Sequence, residues 1–247
     1  MKNKYSFIVI AILILAFWSL QGYCLTAEEI LEKVDEIRAP ADTFAFDVKV
    51  TARKLDSPDL VNCFTVYVRG AEKSLVKFVS PASNKGRILL MVGQNMWIYI
   101  PGTRHSIRIS PQQRLLGEVS NGDVARVVYH LDYEARALQE GTFNGIKCFK
   151  LRLKAKTKNA AYDRIILWVE KNSFKPLKGD FYAVSGKLLK TGYYKNYINI
   201  LGKERPMVLE IHNELKKGQY SIMEYNNMRL ESIPQAYYQK TYLKHIR

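Results

Sequence analysis

The chain has 247 residues, 38 Lys and Arg against 23 Asp and Glu, and a formal net charge of +15. That length gives one large domain with a sizeable core and little room for a second. So basic a surface favours acidic neighbours, and once the chain is read as exported, membrane head groups or an acidic protein replace nucleic acid as partners.

Export is read from residues 1–24, MKNKYSFIVIAILILAFWSLQGYC. Lys2 and Lys4 lead an apolar run, Phe7–Leu20, that falls short of the roughly 18 to 20 residues a membrane-spanning helix needs. Gly22 and Cys24 are small residues at the right distance from a cut after Cys24. The expectation is a cleaved signal peptide over 1–24 and a domain over 25–247, with a retained anchor helix as the alternative. A lipid-modified Cys24 is disfavoured because bulky Tyr23 precedes it. Cys63 and Cys148 remain, and sequence leaves one disulfide and two buried thiols equally open.

The mature chain opens with a helix: Thr26 and Glu29 have capping-box spacing, Ile30, Leu31, Val34 and Ile37 share a face over Glu28–Arg38, and Pro40 stops the run. From Phe44 onward, apolar residues fall on alternate positions, as a half-buried antiparallel strand requires. Asp56-Ser57-Pro58-Asp59 is the expected turn. Similar runs follow at Asn62–Arg69, Ser74–Val79, Arg87–Val92, Asn95–Ile100, Arg104–Ile109, Ile146–Lys156, Tyr162–Glu170, Leu177–Val184, Lys187–Tyr197, Met207–Leu215 and Gln219–Met228. Strand after strand joined by tight turns is an antiparallel meander that must curl or close. Without helix and strand alternation, doubly wound nucleotide-binding folds are disfavoured.

Runs such as Ile165–Val169 and Met96–Ile100 are apolar on both faces. A curved sheet with helices in its concavity accounts for that, either around an apolar cavity or as a solid core. One segment, Ser110–Leu138, is too long for a hairpin loop. Asn121 or Asp123 can cap a short helix carrying Val124, Val127 and Val128, and Leu115 and Leu116 lie upstream. It reads equally as a lid over an opening or a plug in one end of the barrel. Around it Lys85, Arg87, Arg104, His105, Arg108 and Arg114 suit a rim that meets phosphate or carboxylate heads, or a solvated edge. Ile233–Leu243, rich in tyrosine, reads as a final helix starting near Pro234 and docking on its own domain.

Met96-Trp97-Ile98-Tyr99-Ile100-Pro101, Arg108-Ile109-Ser110, and Gly117-Glu118-Val119-Ser120-Asn121-Gly122-Asp123-Val124 carry a resemblance. Together with Trp168–Lys171, Phe174–Lys178 and Phe181–Thr191, they resemble the bacterial outer membrane lipoprotein-sorting family, relatives of the periplasmic carrier LolA. The resemblance spans nearly the whole mature chain. It implies a mainly β fold with helices (α+β): an incomplete, strongly curved antiparallel β-barrel of about 11 strands with a helical lid over a cavity for acyl chains.

Under that resemblance the chain is a periplasmic carrier, monomeric, that takes the acyl chains of a lipid or lipoprotein between an inner-membrane donor and an outer-membrane acceptor, touching membrane surfaces transiently. Candidate cavity residues are Phe44, Phe46, Phe64, Val66, Trp97, Tyr99, Ile166 and Trp168. Lid candidates are Leu115, Leu116, Val124, Val127 and Val128, and Arg87, Arg104 and Arg108 are the head-group candidates. No catalytic residue, cofactor or metal is expected: the four histidines lack ligand spacing, and the serine-elbow and phosphate-loop motifs do not occur. The alternative is an envelope interaction module that binds no lipid and docks on a membrane transport complex through its basic surface or an edge strand.

Overall fold

A computed structural model describes residues 25–246; the expected leader and its cleavage site lie outside the described residues. Helix α1 (Ala27–Arg38) starts where the capping box places it. The Thr26 hydroxyl accepts from the Glu29 amide at 3.2 Å, and the Glu29 carboxylate accepts from the Thr26 amide at 2.7 Å. Two otherwise orphaned amides are thus satisfied. The stripe Ile30, Leu31, Val34 and Ile37 is buried, and so is Asp35.

Thirteen strands make one antiparallel sheet. In chain order they are β1 (Thr43–Lys54), β2 (Ser57–Arg69), β3 (Lys73–Ser80), β4 (Ile88–Val92), β5 (Asn95–Tyr99) and β6 (Ile107–Ile109), then β9 (Tyr133–Phe143), β10 (Ile146–Ala155), β11 (Arg164–Glu170), β12 (Pro176–Tyr182), β13 (Leu188–Ile200), β14 (Lys203–Asn213) and β15 (Tyr220–Arg229). Between β6 and β9 lie a two-stranded ribbon, β7 (Arg114–Leu116) with β8 (Val119–Ser120), and the five-residue helix α2 (Asn121–Ala125). Neighbours in the sheet are neighbours in sequence except at the centre, where β1 pairs with β15. The edges β6 and β9 do not pair, so the barrel is incomplete, and residues 110–132 run from one edge to the other.

Strand pleat sorts the side chains into two clusters. On the inner face Phe46 sits opposite Val66, and Phe64 opposite both Val48 and Phe78, all packed with α1 and α2. On the outer face Leu75, Ile88 and Leu90 lie under the C-terminal segment. That segment is two 3-10 helices, Gln235–Tyr238 and Lys240–His245, neither with a side-chain cap, rather than the single helix expected. Docking itself is as expected: Tyr238 and Leu243 are buried against the outer cluster.

Two other readings change, and one that sequence left open is decided. The first hairpin turns on Leu55 and Asp56 alone, because Lys54 pairs with Ser57, so the expected turn residues Ser57 to Asp59 belong to β2. Asp56 takes φ +58, the left-handed conformation that aspartate tolerates in tight turns. Strand β9, absent from the sequence reading, begins inside the supposed excursion and pairs along β10. Cys63 and Cys148 are free thiols, with six strands between theirs in the sheet order.

Candidate functional site

The inner face of the sheet is covered by α1 and residues 110–132. Each is fixed to the barrel by a small number of polar contacts around an apolar interior. Arg205 of β14, 2% exposed, donates from Nε to the Ile200 carbonyl at 2.9 Å and from Nη1 to the Glu36 carbonyl at 2.9 Å and to that of Ile37. A cation is thereby set against the carbonyl end of α1, where the helix dipole favours it. Burial lowers the Arg205 pKa, so its charge is held against a desolvation cost.

Asp35 joins the two parts of the cover. Its carboxylate accepts from the Tyr129 amide at 2.7 Å and the His130 amide at 2.8 Å, and His130 Nδ1 lies 2.9 Å away. Arg126 fastens the same loop to two hairpin turns. It donates to Asp132 at 2.7 Å, to the Ala71 carbonyl at 3.1 Å and to the Gly93 carbonyl at 2.6 Å. The hydroxyls of Tyr129 and Tyr194 meet at 2.5 Å, and burial pushes both phenols above their ordinary range.

The segment Gly117 to Val124 is held in place through Gly117, Glu118, Ser120 and Asp123. Gly117 has φ +55, and a Cβ there would lie 2.4 Å from both Ala52 Cβ and Ser221 Oγ. The Glu118 amide donates to Ser221 Oγ, and its carboxylate accepts from Asn213 at 2.7 Å. Ser120, not Asn121 or Asp123, is the N-cap of α2. Its hydroxyl accepts from the Asp123 amide at 3.2 Å, and Asp123 accepts from the Ser120 amide at 2.8 Å. The Tyr162 hydroxyl reaches both Asp123 oxygens at 2.9 and 3.0 Å, so α2 is also tied to the loop before β11.

What the cover encloses is small. One void of about 40 Å³ lies among Ile37, Phe46, Val124, Val127, Tyr194 and Tyr225, and one of about 30 Å³ among Met91, Tyr129, Tyr133, Tyr162, Phe181 and Leu209. Ligand pockets run to roughly 300–1,000 Å³, so neither holds an acyl chain as it stands. Arg38, Asp123 and Arg126 line both voids. Arg38 lies with its guanidinium carbon 4.1 Å from the Tyr129 ring centroid, and its buried Nη1 has no hydrogen-bond partner among the described residues.

Phe44, Phe46, Phe64 and Val66 belong to the inner cluster. Trp97, Tyr99, Ile166 and Trp168 do not, and their inward assignment is corrected. Trp97 and Tyr99 face outward under the C-terminal segment. Ile166 and Trp168 alternate with the buried Ile165, Leu167 and Val169 and lie on the outer face, where Lys150 and Lys178 cover the Trp168 ring. Both faces of these strands are indeed covered, but by the tail and by lysine stems rather than by an interior. Val124, Val127 and Val128 are buried in the core, and Leu115 and Leu116 are half-buried against it.

Of the expected head-group residues, Arg104 and Arg108 are exposed. Arg108 pairs opposite Trp97 on the outer side and bonds Asn95 at 2.6 Å. Arg87 sits half-buried in the β3–β4 turn. None of the three lines an interior void. Arg38, Arg126 and Arg205 were missed by sequence reasoning, although Arg38 lies four residues past Val34 and eight past Ile30, on the apolar stripe itself. A charge at that spacing was the available signal. Among the described residues no group of three His, Cys, Asp or Glu side chains could hold a metal ion.

The chain is 37% identical to a LolA superfamily protein from Nitrosomonas europaea, aligned over 89% of this chain and 100% of that one with a TM-score of 0.84. A domain described as an outer membrane lipoprotein-sorting protein, from Vibrio parahaemolyticus, is 22% identical over 89% of this chain and 100% of its own, TM-score 0.75. A DUF1329 family protein from Desulfovibrio piger is 21% identical over 88% and 97%, TM-score 0.76. These two establish the likeness of fold alone. A family model described as "Uncharacterized protein" matches residues 70–245. No curated protein matches the chain.

Proposed function

The chain belongs to the LolA superfamily, and from that membership we propose a periplasmic carrier, without catalysis, that shelters the acyl chains of a lipid or lipoprotein against the inner face of its sheet and passes them from an inner-membrane donor to an outer-membrane acceptor. The observation that carries this reading is Arg38, whose buried Nη1 lacks an acceptor while the residue lines both voids at the seam between cover and barrel. An unsatisfied buried donor costs about 1–3 kcal/mol. An ester or carbonyl oxygen of incoming cargo would satisfy it.

Voids of about 40 and 30 Å³ require the cover to move before a chain enters. The magnitudes allow it. A hydrocarbon chain gains about 0.8 kcal/mol per buried methylene, so roughly a dozen carbons supply about 10 kcal/mol against latch hydrogen bonds contributing about 1 kcal/mol each. Delivery needs open and closed states of similar free energy, with cargo hydrocarbon replacing the apolar contacts that Ile30, Leu31, Val34 and Val124 of the cover make when it is closed.

Mass spectrometry of lipid extracted from protein prepared out of its native envelope tests the proposal. Bound acyl lipid, lost in Arg38→Leu, is expected. A filled interior also favours a second reading, the lipid-free interaction module, whose edge strand β6 carries Ile107 at 54% exposure. An empty extract, with a partner still captured by Arg38→Leu, selects that module instead.

A further inference from the structure

A third hollow lies outside the cover. The loop joining β10 to β11 and the loop joining β12 to β13 enclose a half-open groove of about 700 Å³. Its walls include Ala155, Ala161, Tyr162, Tyr182, Val184 and Leu189, and Val184 is 88% exposed, the barest large apolar side chain among the described residues. That volume is in the range of small-molecule sites.

The charge around it is net positive, three lysines against one aspartate. Lys156, Lys158 and Lys190 line the groove, and the acid beside them, Asp163, is already engaged by Lys154 at 2.6 Å. Lys156 donates to the His130 carbonyl at 2.7 Å and has Asp132 as its acidic neighbour, and both Lys156 and Lys158 are exposed. Lys190, with a side chain 16% exposed, turns inward, donating to the Tyr162 hydroxyl at 3.2 Å and to the Glu118 carbonyl and lying 3.9 Å from Asp123, so the rim charge is carried by Lys156 and Lys158. An apolar trough rimmed by ammonium groups matches one kind of molecule: a hydrocarbon chain with an anionic head.

We propose that this groove is a binding site for a single-chain anionic amphiphile, its hydrocarbon against Tyr182, Val184 and Leu189 and its carboxylate or phosphate between Lys156 and Lys158. The site is separate from the interior and open to solvent with the cover closed. It is nevertheless adjacent to it, because Tyr162 and Ala161 wall both this groove and the smaller interior void. Gln112 strengthens that adjacency by donating from the covering segment to the Lys158 carbonyl at 2.8 Å and the Ala160 carbonyl at 2.5 Å.

Calorimetric titration of the protein with dodecanoate, with the lysophosphatidylglycerol of the same chain, and with the neutral monoglyceride tests the proposal. The anionic probes are expected to bind about tenfold more tightly than the neutral one, a preference erased in Lys156→Glu/Lys158→Glu. Whichever anionic probe binds better identifies the head as carboxylate or phosphate. Val184→Asp, at an exposed position, should weaken both, and Leu60→Asp, also exposed, on β2 and outside the lining of the groove and of both voids, should leave both unchanged. Equal binding of the neutral probe, indifference to the lysine reversal, or sensitivity to Leu60→Asp would overturn the site. Envelope lipid that copurifies with the lysine double variant but not with Arg38→Leu separates the two proposals.

Discussion

The carboxylate of Asp35 on α1 lies 2.9 Å from Nδ1 of His130 while it also accepts the backbone amides of Tyr129 and His130. One side chain, 4% exposed, thus joins the two halves of the cover. Asp35→Ala strands two amides, and each buried donor without a partner costs about 1–3 kcal/mol. Hydrogen exchange at Tyr129 and His130 is expected to speed up by about tenfold or more in this variant, since about 1.4 kcal/mol is a decade. Unchanged exchange would dissociate Asp35 from closure.

The same pair gives the latch a pH dependence. The hydrogen bond to Asp35 raises the His130 pKa above its usual 6.5, partial burial opposes the shift, and Glu32 raises it while Lys156 lowers it. Because the folded value is the higher one, the contribution is complete below the unfolded pKa and disappears as pH rises through the folded pKa. Closure is therefore expected to be tighter near about pH 6 than about pH 8. Protection of the two amides, taken relative to the base-catalysed exchange of a free peptide across that interval, should lose its pH slope in His130→Gln.

Arg205→Met removes the two carbonyl contacts, to Glu36 and Ile37, that hold the end of α1 against β14, and a third to Ile200 of β13. Hydrogen bonds from a charged donor contribute about 1.5–3 kcal/mol. A lowered melting temperature with a retained β-sheet circular dichroism signal is expected, and an unchanged melting point would remove Arg205 from the account of how α1 is anchored.

Gly117 and Gly186 both have positive φ, +55 and +81, but their surroundings differ. A Cβ at Gly117 meets Ala52 and Ser221 at 2.4 Å, whereas at Gly186 nothing lies within 4 Å. Gly186→Ala should lose only the left-handed backbone penalty, about 1–2 kcal/mol. Gly117→Ala adds overpacking of about 1–3 kcal/mol more. Denaturant midpoints for the two variants should rank in that order.

Truncation before Pro234 uncovers Leu75, Ile88, Leu90 and Trp97 together. A contiguous apolar patch on an outer sheet face attracts dyes and other copies of the chain. The shortened protein is expected to bind an apolar fluorophore, to red-shift its tryptophan emission and to aggregate on heating; an emission spectrum like that of the full chain would mean that the tail does not shield Trp97.

Local chemistry was legible before the fold was seen. Thr26 and Glu29 specify the start of α1 by themselves, and alternation in Phe44 to Val50 specifies a strand with one face inside. Strand β9 was hidden because Glu134, Ala135, Arg136, Gln139 and Glu140 are good helix formers, and only pairing with β10 along an open edge makes them extended. Trp97 and Trp168 were misplaced for another reason. Parity says that neighbours point to opposite faces but not which face a distant segment will cover. The charged lining, Arg38 with Asp123 and Arg126, joins the end of α1 to α2 and its C-cap, most of a hundred residues later, so no local window contains it.

The pairing of β1 with β15 at the centre of the sheet has a kinetic consequence. Every other junction in the main sheet joins consecutive strands, apart from the remote edges, so each half of the meander can zip from its own hairpins as it emerges. Contacts between distant parts of a chain set folding speed through the entropy of closing long loops. Val50 finds Met223, and Val48 finds Tyr225, only after nearly all the chain has been synthesised. Until then the two half-sheets bear open, ladder-ready borders, and that interval is when the molecule most needs protection from pairing with its neighbours.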